Sequence, residues 1–94
     1  MASSRDTAEA LALQAVGWIV AQEDLLPVFL GATGANEADL RAGLADPDFL
    51  AAVLDFLLMD DAWVTGFCDA AGLGYDRPMQ ARAALPGGQA VHWT

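Results

Sequence analysis

Lysine is absent from this 94-residue chain, and its fixed cations are only Arg5, Arg41, Arg77 and Arg82. Against them stand 13 Asp and Glu, for a formal net charge of −9. A nucleic-acid partner is therefore not expected, because such surfaces gain affinity from clustered Lys and Arg that displace counterions from phosphates. The carboxylates are read instead as helix caps and as solvating charge on a greasy chain, with attraction of a basic protein as the second reading.

Cysteine is nearly absent as well. Cys68 stands alone, so no internal disulfide forms and no oxidising compartment is needed, which makes the cytoplasm the expected location. With one His and one Cys, no zinc cluster assembles. No calcium-loop spacing of oxygen ligands occurs, and Asp55, Asp60 and Asp61 read as helix-capping acids rather than a cation site. Gly31-Ala32-Thr33-Gly34 and Gly72-Leu73-Gly74 follow helical segments rather than strands, so they are helix stops and not phosphate loops. No cofactor is expected. Long apolar runs are missing too: residues 15–21, interrupted by Gly17, and residues 49–54 fall short of the roughly 18 needed to cross a membrane. The opening Met-Ala-Ser-Ser-Arg-Asp-Thr-Ala-Glu lacks the basic patch and apolar run of a secretory signal. No segment alternates apolar and polar residues, and no Asn-Gly or Asp-Gly turn joins β-branched runs, so strands are not expected.

What is present is apolar and helical. Hydrophobic residues make up 55% of the chain, including three Trp and four Phe. The run Phe49-Leu-Ala-Ala-Val-Leu-Asp-Phe-Leu-Leu-Met59 places large apolar residues on nearly every helical face, with a wet edge only at Asp55 beside Ala51 and Ala52. Such a helix belongs inside other helices. The expected fold is all-α: a compact bundle of five or six short helices around that buried central helix. One domain spans residues 1–94, with 1–5 and 86–94 as irregular ends.

Acidic and amide residues just before apolar stretches mark the helix starts, since their side chains accept hydrogen bonds from unpaired backbone N–H groups. Asp6 with Glu9 suggests a capping box opening a helix over residues 6–22, whose inner face carries Leu11, Ala15, Trp18 and Ile19. Asp24 caps a second helix over 25–33, stopped by Gly34. Asn36 opens a short third helix that turns Leu40 and Leu44 inward. Asp46-Pro47-Asp48 combines a cap, a proline in the first turn and a carboxylate at the positive helix end, and starts the central helix over 47–59. Asp60-Asp61 either re-caps the chain or marks a bend in one long helix. The segment that follows points Trp63, Val64, Phe67, Cys68 and Ala71 inward before Gly72. Asp76 with Pro78 opens a last helix to about residue 84, and Leu85-Pro86-Gly87-Gly88 stops it.

Candidate functional residues are few. Trp93, beside His92 after a Gly-Gly pair, either folds back onto the helical core or fills a groove on another molecule as an aromatic anchor. A thiol–imidazole pair of Cys68 and His92 would point to a small enzyme or ligand-binding pocket. Cys68 itself reads as a small apolar core residue. Leu13, Val16 and Val20 lie away from the line of Leu11, Ala15 and Ile19, so they are candidates for a second apolar face through which a homodimer or an unidentified protein partner binds. The leading functional class is a non-catalytic interaction or structural domain.

Three segments carry a family resemblance: Arg5-Asp-Thr-Ala-Glu-Ala-Leu-Ala-Leu-Gln-Ala-Val-Gly-Trp18, Phe49-Leu-Ala-Ala-Val-Leu-Asp-Phe-Leu-Leu58, and Arg82-Ala-Ala-Leu-Pro-Gly-Gly88 with His92-Trp93-Thr94. Together they resemble a family of short, acidic, uncharacterised bacterial proteins grouped as a domain of unknown function. That resemblance implies one compact domain and brings no activity, cofactor or catalytic residue.

Overall fold

A computed structural model describes residues 4–85 of the chain. Six helices follow one another: α1 (Ser4–Ala21), α2 (Leu25–Thr33), α3 (Glu37–Gly43), α4 (Pro47–Leu57), α5 (Asp61–Ala71) and α6 (Arg77–Ala83). No strand occurs among the described residues. The radius of gyration is 12.6 Å, against about 13 Å expected for a folded chain of this length. The all-helical expectation therefore holds.

Local capping chemistry explains most of the boundaries. Asn36 and Asp39 form a reciprocal capping box at α3: the Asn36 side chain accepts from the Asp39 N–H at 2.8 Å, and Asp39 accepts from the Asn36 N–H at 3.2 Å. Asp46 accepts from the Asp48 N–H at 3.0 Å, with Pro47 in the first turn of α4. Asp60 accepts from the Ala62 N–H at 2.8 Å, which resolves the choice at Asp60-Asp61 in favour of a separate α5. Gly34 and Gly72 close α2 and α5 at φ of 72° and 71°, a left-handed conformation that costs glycine little, and their N–H groups donate to Leu30 and Cys68 carbonyls.

Other caps differ from expectation. Helix α1 already includes Ser4 and Arg5, so Asp6 lies inside its first turn rather than ahead of it. There a carboxylate complements the positive helix end. Asp24 and Asp76 occupy cap positions in helical backbone geometry and make no side-chain cap hydrogen bond, since a capping side chain reaches back over the first turn from an extended backbone.

The centre is shared by two helices. On α4, Leu50, Ala51, Val53, Leu54, Phe56 and Leu57 are buried, while Asp55 is exposed. Helix α1 contributes Ala8, Leu11, Ala12, Ala15, Val16 and Ile19 to the same core, and it packs against α2, α4, α5 and α6. Its three core alanines lack the bulk to hold neighbouring helices apart. Aromatic rings tie the layers together. Phe29 of α2 meets the edges of Phe49 and Phe56 at centroid distances of 6.2 and 5.1 Å, and Phe56 stacks on Trp63 of α5 at 4.7 Å. Trp18 lies across Gly66, where a Cβ would come within 2.9 Å of the indole, and meets Phe67 edge-on at 6.2 Å.

Two inward expectations fail at the periphery. Leu44 is 36% exposed, because α3 ends at Gly43 and the turn leading into Asp46 carries Leu44 off the core. Ala71 is exposed one residue before the Gly72 stop, where α5 has run past the helices it covers.

Candidate functional site

The residues singled out in the sequence do not converge. Leu13 and Val20 are each 43% exposed on the outer side of α1. Val16 is not with them: it is 7% exposed and belongs to the core. The reason is helical spacing, since Ala12, Val16 and Ile19 follow one another at i, i+4 and i+7 along a buried line. His92 and Trp93 lie outside the described residues, as does any pairing of His92 with Cys68.

Cys68 is fully buried on α5, and its Sγ–H donates to the Gly74 carbonyl at 3.4 Å. Burial pushes its thiol pKa up, the negative charges of Asp69 and Asp76 push it further, and Arg77 partly opposes them. The thiol therefore keeps its proton at neutral pH, the opposite of what a nucleophilic thiolate requires. The carboxylates are dispersed in local roles. Asp60 caps α5 as expected, whereas Asp55 caps no helix, lying within α4 and accepting from Arg82, and Asp69 accepts from the Tyr75 hydroxyl at 2.7 Å. Among the described residues, no three His, Cys, Asp or Glu side chains gather where they would hold a metal ion.

The feature that does converge is an apolar groove along α4. It occupies about 500 Å³ and is lined by Phe49, Ala52, Phe56 and Met59 on one side and by Gly34 and Ala35 on the other. Phe56 is nearly buried at 4% exposure, whereas Met59 stands 74% exposed. Asp39 and Asp55 add carboxylates to the lining.

The groove follows from unequal helix lengths. With 7 residues α3 spans about 10 Å, while the 11 residues of α4 span about 16 Å at 1.5 Å per residue. The short helix meets only part of its neighbour. The spacing 49, 52, 56 and 59 reads as a helical stripe in the sequence, but α4 stops at Leu57 instead of running to residue 59, so Met59 lies just past its last turn; apolar residues on nearly every face of one helix require a cover on every side. The missing signal was the length of the cover.

Among the described residues, fold and groove together define a small six-helix bundle with an uncovered apolar surface along one of its two central helices. Residues 5–88 match the family model described as Protein of unknown function (DUF3572), and the chain belongs to that family. The match ends before His92-Trp93-Thr94. No curated protein and no solved structure matches the chain.

Proposed function

We propose that this domain is a non-catalytic protein-interaction module of the bacterial cytoplasm, and that its working surface is the α4 groove. The observation that supports this reading is the placement of Met59, whose side chain stands in water beside the Phe49 and Phe56 rings. An uncovered thioether next to aromatic rings is an adaptable surface for apolar anchors. Asp39 and Asp55 on the lining favour a partner in which a Lys or Arg flanks the anchor, since like charges are disfavoured there. The fully buried, protonated Cys68 weighs against the alternative of a thiol-based enzyme.

A photo-cross-linking residue placed at Ala52 in the native host tests the proposal, with Gln14 on α1 as the comparison position. The expected result is a discrete cross-linked protein from position 52 that disappears on adding Met59→Glu. Equal labelling from positions 14 and 52, or insensitivity to Met59→Glu, would reject the groove.

The exposure of Leu13 and Val20 favours a second reading, self-association through the outer side of α1. Light-scattering mass across a concentration series reads it directly. A dimer that Leu13→Glu converts to monomer supports it, and a mass equal to one chain at every concentration removes it.

A further inference from the structure

We propose that the cleft between α1 and α6 binds a small monocarboxylate with a short hydrocarbon body, its carboxylate paired with Arg77. The inference is independent of the α4 groove, with which this cleft shares no lining residue. The cleft occupies about 300 Å³ and has two walls. Thr7, Ala8 and Leu11 come from one face of α1, and Arg77, Gln80 and Ala81, at i, i+3 and i+4, from one face of α6.

The state of Arg77 carries the proposal. Arg5 pairs with Glu9 at 3.3 Å and Arg82 with Asp55 at 2.6 Å, while Arg41 is exposed on α3 and is satisfied by water. Arg77 is partly buried, yet among the described residues it makes neither an ion pair nor a hydrogen bond. Asp76, its neighbour in sequence, accepts instead from Gln80 Nε2 at 2.9 Å. The Thr7 hydroxyl on the facing wall also has no hydrogen-bond partner among the described residues.

A partly buried cation left without a counter-charge is costly, and a carboxylate offsets that cost by accepting two parallel N–H bonds from the guanidinium fork. The Thr7 hydroxyl adds a donor from the other wall. A chain of net charge −9 repels anions in proportion to their charge, which favours a single carboxylate over a phosphate. Ala8, Leu11 and Ala81, only 2%, 4% and 7% exposed, give the cleft an apolar floor for the hydrocarbon body. Its volume is that of roughly ten waters at about 30 Å³ each, so the body is a few carbons long.

Amide correlation spectra of the isotope-labelled full chain, titrated with sodium hexanoate at fixed ionic strength, test the assignment. The expected result is saturable shifts of the Thr7, Ala8 and Ala81 amides with a Kd on the order of 1 mM. Hexanamide keeps the shape and loses the charge, and Arg77→Gln removes the guanidinium; each should weaken binding about tenfold or more. Arg41→Gln should leave it unchanged. Shifts that never saturate, a response to hexanamide equal to that of hexanoate, equal binding by Arg77→Gln, or saturation centred on Phe49 and Met59 would overturn the proposal. Inorganic phosphate binding the same amides as tightly would overturn it too, since charge alone would then be recognised. The hexanamide comparison uses the unaltered chain and therefore decides the matter whatever Arg77→Gln does to folding.

Discussion

Gly43 and Phe49 meet across the turn between α3 and α4 so closely that a Cβ at residue 43 would run into the ring atoms of Phe49. The same ring meets Phe29 edge-on and lines the α4 groove, so the turn, the aromatic cluster and the candidate surface share one contact.

Gly43→Ala is expected to destabilise the domain by about 1–2 kcal/mol. Overpacking at a fixed ring costs about 1–3 kcal/mol, more than the roughly 0.5–1 kcal/mol gained from helix propensity. Gly17→Ala should do the reverse. Nothing lies within 4 Å of a Cβ at residue 17 in the middle of α1, so only the propensity gain of about 0.5–1 kcal/mol remains. Thermal melts of the two variants should move in opposite directions, and movement in the same direction would contradict the contact.

The caps separate into two groups. Asp46→Ala and Asp60→Ala each remove a side-chain acceptor from a backbone N–H and should cost about 0.5–2 kcal/mol. Asp24→Ala removes no cap hydrogen bond, and its effect should stay within about 0.5 kcal/mol. Urea titrations of the three variants check the difference, and equal losses would contradict it.

The two sides of α1 are distinguishable by truncation. Val16→Ala removes buried methyl groups and should cost about 1.5 kcal/mol at about 0.8 kcal/mol per group. Leu13→Ala, at a residue 43% exposed, should cost about 0.5 kcal/mol or less. A larger loss at Leu13 than at Val16, measured at one protein concentration, would point to a buried interface over Leu13.

The Cys68 thiol titrates above its ordinary 9.0 in the folded chain, first because of burial. As pH rises past 9.0, the unfolded state sheds this proton before the folded state does, so stability falls with rising pH; below 9.0 the contribution is fully present. Tyr75, raised above 10.0 by its hydrogen bond to Asp69, bends the curve in the same direction at higher pH. Denaturation midpoints across alkaline pH measure the trend. Alkylation of native Cys68 at neutral pH should be much slower than in the unfolded chain, and equal rates would contradict its burial.

Much of the helical layout was legible in the residues. The bounds of α2, the start of α4 at Asp46-Pro47-Asp48 and the stops at Gly34 and Gly72 matched the structure because each is decided within a few residues. The candidate site was less legible. Of Leu13, Val16 and Val20, one turned inward, since the width of a buried arc depends on how many neighbours surround a helix. Asp55, expected at a wet edge, is exposed, but its partner Arg82 is 27 residues away in sequence.

The chain's own order of residues thus determined that it is helical, where most helices begin and end, and that most of residues 49–59 go inside, although Met59 at the end of that run is exposed, because capping, left-handed glycine and apolar periodicity act through neighbours along the backbone. Only the tertiary structure decided that α1 shares the centre with α4, that Gly43 must yield to Phe49, and that α3 is too short to close the groove. Those outcomes depend on relative lengths and approach distances between segments far apart in the chain, which no local pattern encodes.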